Sequence, residues 1–141
     1  MQENLLFNKP VYKIHKEFSI QLATFLGGPL AGAYLVAENF KAFGDSAGAK
    51  KTWVIAITGT LLLMGAISMI PDEVNIPNIV YPISYVCFVS IMVSKFQRRQ
   101  IQDHLQDGGG AYGMWRALLV GLISFIILVI IALIILLITD W

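Results

Sequence analysis

Four long stretches without a charged residue constrain the fold of this chain more than any other feature. Each holds about 18–23 residues, and roughly 20 helical residues cross the hydrocarbon core of a bilayer. Only 13% of the 141 residues are charged, about half the share found in soluble domains. The sequence predicts an all-α integral membrane protein with a single transmembrane domain, residues 1–141. Its bundle of four transmembrane helices is expected at about 18–37, 53–70, 76–94 and 117–139.

The first predicted helix is interrupted near its centre by the sequence FLGGPLAG, residues 25–32. Gly27, Gly28 and Pro29 allow a kinked spanning helix, a re-entrant segment that turns back, or the end of a cleaved signal peptide. Cleavage is disfavoured because the basic region before the apolar run is long and Gln21 dilutes that run. We expect the kinked helix, because a helix that turns back frees backbone groups that lipid cannot satisfy.

The distribution of lysine and arginine favours the re-entrant alternative instead. These residues accumulate on the cytoplasmic side of a membrane. With four spans, loops 38–52 and 95–116 share one side and hold seven basic residues, whereas Lys9, Lys13 and Lys16 lie on the other. With a re-entrant first segment, all ten basic residues share one side. Both arrangements place the two loops in the cytoplasm, and the expected location is the bacterial cytoplasmic membrane.

Two stretches of the chain share a pattern that suggests related helical hairpins. The pattern D-x-x-G-A-x-x-x-W-x-x-x-x-x-G occurs at residues 45–59 and again at residues 107–121. Either a hairpin has been duplicated, or both loops independently need a cap, a turn and a tryptophan at the membrane surface. Before the second copy, residues 95–107 alternate polar and apolar residues at near-helical spacing. They predict a cytoplasmic extension of the third helix.

Chemically reactive groups are sparse in this sequence. None of the four predicted spans contains an ionisable residue, which argues against a proton-coupled transporter with a buried carboxylate. His15 and His104 lie in separate polar segments without further ligands at metal-binding spacing, so both are expected to be solvated. No catalytic residue, metal site or cofactor is predicted. A net charge of +1 gives no reason to expect nucleic acid as a partner.

Glycine and proline mark the places where helices can pack closely or a ligand can bind. Gly28 and Gly32 form a G-x-x-x-G motif, which lets two helix backbones approach each other. Interrupted helices in corresponding segments also point to transporter sites. The candidate packing or ligand residues are Gly27, Gly28, Pro29, Gly32 and Pro82. A second, basic set is predicted to contact lipid headgroups or a partner: Lys50, Lys51, Arg98, Arg99 and Arg116.

Three segments together resemble an uncharacterised family of small bacterial inner-membrane proteins. They are FLGGPLAG at 25–32, QIQDHL at 100–105 and GGGAYGMWRA at 108–117. The resemblance covers most of the chain. It implies no activity, substrate or catalytic residue, and therefore adds nothing to the assignment of function.

The sequence favours a non-enzymatic membrane protein, either an accessory or interaction subunit of a membrane complex or a homo-oligomer. Its expected partners are the lipid bilayer and other membrane-protein chains or copies of itself. One alternative is an oligomeric small-solute channel or carrier with a site near the Gly27–Pro29 break. Another is a lipid-modifying membrane enzyme. That enzyme would need His104, Asp103, Asp107 and Arg98 or Arg99 near one cavity.

Overall fold

The computed structural model describes residues 10–71 and 73–139, and most of them are helical. The described part contains five helices: α1 (Glu17–Ala42), α2 (Ser46–Ser68), α3 (Val80–Phe96), α4 (Arg98–Gln106) and α5 (Met114–Thr139). Two short strands, β1 (Lys13–Ile14) and β2 (Gly110–Ala111), pair in parallel. By length and composition, α1, α2 and α5 are apolar enough to cross a membrane.

The chain reverses direction inside α1. Gly28 lies at φ 69° and ψ −164°, a backbone conformation that is essentially confined to glycine. The two ends of α1 then meet, because the backbone N–H of His15 donates to Asn39 Oδ1 at 2.7 Å and Asn39 Nδ2 donates to the His15 carbonyl at 2.9 Å. In one straight helix these residues would lie ~36 Å apart. We therefore describe α1 as a hairpin of two half-helices, residues 17–27 and 29–42, called the α1 hairpin.

The expected kink is in fact a reversal of the chain at Gly28, although α1 has the length and composition of a span. The backbone groups freed by the broken helix are shielded from lipid, because other parts of the protein pack around them. Of the most apolar part of α1, 56% is buried inside the protein, against 6% for α2 and 11% for α5. Broken backbone is tolerated at membrane depth when protein surrounds it. The α1 hairpin is thus the core of the molecule and the other helices are its cover.

Small residues let the outer helices approach the α1 hairpin. A side chain on Gly27 would lie 2.5 Å from the carbonyl oxygen of Gly121 on α5, so the two backbones are in direct contact. A side chain on Gly32 would collide with Thr24 of the opposite half-helix and would lie 3.1 Å from Val89 on α3. In the described residues, α2, α3 and α5 pack mainly on the hairpin rather than on one another.

The segment after α3 is a separate helix, not an extension along the same axis. The chain bends by 64° between α3 and α4. Gln97 occupies the bend, and its buried Nε2 donates to the Val36 carbonyl at 2.8 Å. By length and composition, α3 and α4 supply a fourth candidate span only when the bent pair is counted as one. The predicted four-span bundle is therefore not confirmed.

The two similar sequence stretches adopt different local structures. Asp45 precedes α2, and its side chain accepts the Gly48 N–H at 2.7 Å as a helix N-cap. Asp107, its counterpart, follows the last residue of α4, and Gly110 and Ala111 form β2. The predicted relation between two hairpins is consequently not confirmed either.

Basic residues gather at one end of the molecule. This basic end is where β1 pairs with β2, where both ends of the α1 hairpin lie, and where α2 and α5 begin. Lys9 lies outside the described residues. The described lysine and arginine residues are Lys13, Lys16, Lys41, Lys50, Lys51, Lys95, Arg98, Arg99 and Arg116.

The reversal at Gly28 predicts opposite outcomes for two glycine-to-alanine substitutions. Gly28→Ala should destabilise the protein by about 1–3 kcal/mol, since a side chain is strained at this backbone conformation and would also press on Leu128. Gly65→Ala is the control, because its side chain would meet open space within α2 and alanine favours a helix by up to ~1 kcal/mol. Thermal unfolding in mild detergent measures both. Equal midpoints for the two variants would contradict the reversal.

Candidate functional site

A cluster of polar side chains fastens the α1 hairpin at the basic end. Its members come from the segment before α1, from the second half-helix, from the turn between β2 and α5, and from the start of α5. We call it the polar cluster, and it comprises His15, Tyr34, Glu38, Asn39, Tyr112 and Arg116. The chain reversal at Gly28 brings His15 close to Glu38 and Asn39. The β1–β2 pairing brings Tyr112 beside His15.

Glu38 is the centre of the polar cluster because its carboxylate binds three side chains. Oε2 lies 2.7 Å from His15 Nε2. Oε1 accepts hydrogen bonds from Arg116 Nη2 at 2.9 Å and from the Tyr34 hydroxyl at 3.1 Å. The Arg116 guanidinium supplies the charge that balances the carboxylate. Glu38 thereby ties the start of α5 and the segment before α1 to one turn of the hairpin.

His15 is completely buried within the polar cluster. Its ring stacks on Tyr112 with 4.7 Å between the ring centroids, and the Arg116 guanidinium lies 4.1 Å from the centroid of the same tyrosine. The hydrogen bond to the Glu38 carboxylate places the imidazole proton on Nε2. Nδ1 is then an unprotonated nitrogen with no hydrogen-bond partner in the described structure.

Burial lowers the pKa of His15 below its ordinary value of 6.5, and the nearby Arg116 charge acts in the same direction. The hydrogen bond and negative charge of Glu38 oppose the shift but are outweighed. A protonated ring would also place an N–H at Nδ1, where none of the residues that the structure describes supplies an acceptor. His15 is therefore neutral at pH 7.

A second set of contacts joins α3 and α4 to the hairpin. Arg98 Nη2 donates to Glu17 Oε1 at 2.8 Å, and the Ser94 hydroxyl donates to the same oxygen at 3.4 Å. His104 is 4% exposed, and its Nε2 lies 2.9 Å from the Gly110 carbonyl oxygen. A side chain on Gly109 would collide with the His104 ring. The turn between α4 and β2 is therefore shaped around this histidine.

The predicted solvation of both histidines is wrong. Each is buried, because the returning half-helix and the strand pair cover positions that look peripheral in the sequence. Of the residues named for a lipid-modifying enzyme, His104 binds a backbone carbonyl and Arg98 pairs with Glu17; that alternative stays a prediction. One signal was available in the sequence: the distribution of lysine and arginine favoured a first segment that turns back, and the returning half-helix is what buries His15.

The predicted packing or ligand residues lie at different places along the hairpin and α3. Gly28 makes the reversal, while Gly27 and Gly32 allow close contacts with Gly121 and Thr24. Pro29 lines a cavity against α2 and α3 and another against α2 and α5. Pro82 is half-buried in the first turn of α3. A ligand at any of these residues stays a prediction.

The five predicted basic contact residues divide into two groups. Arg98 and Arg116 form ion pairs with Glu17 and Glu38, and thus hold α4 and α5 to the hairpin. Three others are exposed at the basic end: Lys50, Lys51 and Arg99. Contact of these residues with lipid headgroups or a partner stays a prediction.

The polar cluster is suited to fastening helices, because its hydrogen bonds join the segment before α1, the second half-helix and α5. A cavity of about 500 Å³ opens beside it, lined among others by Lys13, Lys41 and Tyr34. Within residues 10–71 and 73–139, no group of three or more His, Cys, Asp or Glu side chains could hold a metal ion. The chemistry shown by the cluster is charge neutralisation and hydrogen bonding around Glu38.

Comparison of the chain with protein-family profiles, curated proteins and solved structures found no match. The resemblance to small bacterial inner-membrane proteins consequently stays an expectation from the sequence, and function has to be argued from the geometry.

The buried, neutral His15 predicts a loss of stability in mild acid. Folding lowers its pKa, so the unfolded chain binds more protons and stability is complete above about pH 6.5. It then falls as the pH drops through the folded-state pKa, by at most about 1.4 kcal/mol per pH unit. Thermal unfolding between about pH 8 and about pH 5 measures the slope. His15→Gln should flatten it and His104→Gln should retain the His15 contribution. An unchanged slope in His15→Gln would refute the assignment.

Proposed function

We propose that this chain is a non-enzymatic membrane protein that acts as an interaction subunit, associating with other membrane-protein chains or with copies of itself. The observation that supports this proposal is the unequal packing of the outer helices. They are held by the α1 hairpin near the basic end, and they continue past its tip without packing extensively on one another. Residues 125–139 of α5 are exposed throughout.

The tip of the α1 hairpin divides the molecule into a packed half and an open half. Leu128 of α5 reaches Gly28 at the tip, and most of the apolar residues of α5 after Leu128 are exposed. On α2, Leu61, Leu62 and Met64 are likewise exposed. Association in lipid depends on close side-chain packing more than on apolarity. The open half therefore offers separated helix faces against which another helix can pack.

We infer that the basic end faces the cytoplasm, following the enrichment of lysine and arginine on that side. The α1 hairpin then enters and leaves the membrane from the cytoplasmic side, and α2, α3 and α5 cross it. The 17 residues of α3 give a helix of about 26 Å, close to the ~30 Å hydrocarbon thickness. A bacterial cytoplasmic membrane fits this orientation.

A small-solute channel or carrier is the second candidate function. It is favoured by the meeting of two half-helix ends at Gly28, an arrangement that binds substrates in transporters. The cavities beside Pro29 are nevertheless almost wholly apolar. The hydroxyls of Thr60 and Ser84 donate to carbonyls of their own helices. A polar solute would find few partners there, so we rank interaction above transport.

Cysteine cross-linking along the open half of α5 tests the proposed association. Single cysteines replace residues 129–138 in a Cys87→Ala background, and membranes are oxidised before solubilisation. An interface should give a discrete product at every third or fourth position, since one face of a helix recurs with that period. A product of twice the chain mass identifies self-association, and another discrete mass identifies a different partner. The absence of a discrete product at all positions would contradict the proposal.

A further inference from the structure

A continuous groove runs between α2 on one side and α3 and α4 on the other. It consists of an inner cavity of about 390 Å³ and an outer cavity of about 460 Å³. Thr52 and Met92 line both cavities, so the two spaces adjoin. The second half of the α1 hairpin forms the floor. We call this space the α2–α3 groove.

The inner part of the α2–α3 groove is apolar. Its floor carries Gly32, Ala33 and Val36, and its α3 wall carries Phe88 and Val89. The hydroxyls of Thr52, Thr60 and Ser84 do not project a free hydrogen, because each donates to a carbonyl one turn earlier in its own helix. Tyr85 adds one phenol ring to a lining that is otherwise mostly apolar, and an apolar chain is the occupant that suits this part.

The outer part of the α2–α3 groove lies at the basic end, where charged and polar side chains join a largely apolar lining. Lys51 and Gln100 line it, and Lys51 forms no ion pair with any described residue. The acidic lining residue, Asp45, is engaged as the N-cap of α2, where Oδ1 accepts the Gly48 N–H. The start of α2 also favours negative charge. Lys51 therefore offers a phosphate an ammonium group that is unpaired among the described residues, while the Asp45 carboxylate is directed to the N-terminus of α2.

We propose that the α2–α3 groove binds one anionic phospholipid, with an acyl chain in the inner part and the phosphate beside Lys51. The change from apolar to basic along one groove matches the two ends of such a lipid. A transmembrane helix of a second copy is too wide to enter. A side chain on Gly59 would lie 3.4 Å from Phe88 Cζ, so the Phe88 ring reaches across the groove to α2 there, whereas a helix is about 10 Å across.

This site is tested separately from the proposed association. The groove shares Leu62 with the open half of α2, but none of its described lining residues belongs to α5, and the association is tested on α5. Lipid binding can therefore fail while cross-linking of α5 succeeds, and the reverse also holds.

Native mass spectrometry of the full chain, titrated with phosphatidylglycerol or phosphatidylcholine of the same acyl chains, tests the proposal. Phosphatidylglycerol should be retained as one molecule per chain, and Lys51→Gln should weaken its binding about fivefold. Lys50→Gln is the matched control, because this neighbouring lysine is exposed but does not line the groove. Phosphatidylcholine should respond to neither substitution.

A second pair of variants tests the inner part. Ala56→Phe places a ring inside the groove and should abolish retention of both lipids, while Val54→Phe, on an exposed face of α2, should leave retention unchanged. Equal binding of phosphatidylglycerol by the Lys51→Gln and Lys50→Gln variants would overturn the proposal. The proposal would also be overturned if lipid retention survived Ala56→Phe but was displaced by inorganic phosphate. A third contradicting result is a chain dimer that Ala56→Phe dissociates while lipid retention stays unchanged.

Discussion

The pair of hydrogen bonds between the Asn39 side chain and the backbone of His15 is the contact on which the rest of the structure depends. It closes the α1 hairpin, and closure creates the surface that α2, α3 and α5 cover. A helix broken at Gly28 would expose unsatisfied backbone groups to lipid if it stood alone. The covering helices remove that cost, and close contacts such as Gly27 with Gly121 make the cover tight. The reversal of the chain at Gly28 therefore depends on the burial of the α1 hairpin by the outer helices.

Charge acts at the same end and fixes the outer helices in register. Glu38 holds Arg116 at the start of α5, and Glu17 holds Arg98 at the start of α4. Both glutamates stand near the ends of the α1 hairpin, so the reversal is what brings their partners within reach. The opposite end has no such fastening among the described residues, and the helices there stand apart. Because the helices are held together at one end only, their faces at the other end are left exposed, and these are the proposed interaction faces.

The sequence locates the helices well but does not decide how the first one runs. The uncharged stretches overlap α1, α2, α3 and α5, because hydrophobic length is a local property, but the helix ends differ by up to seven residues. Whether Gly28 bends the helix or reverses it depends on the cover supplied by residues such as Ala117 and Val89, which is a tertiary property. The cost of unsatisfied backbone groups favoured a span, because that cost applies to a helix considered alone. The distribution of lysine and arginine favoured the reversal. Burial of His15 and the α2–α3 groove follow from the reversal, so the sequence predicted neither.

In the proposed orientation, both ends of the α1 hairpin lie on the cytoplasmic side of the membrane. Single cysteines at Lys16 and Lys41, both exposed at the ends of the α1 hairpin, test this in a Cys87→Ala background. Intact cells are treated with a membrane-impermeant maleimide, before and after permeabilisation. The account predicts that both positions are protected in intact cells and that both react after permeabilisation. Labelling of one position and protection of the other would show that the segment spans the membrane, and would contradict the account.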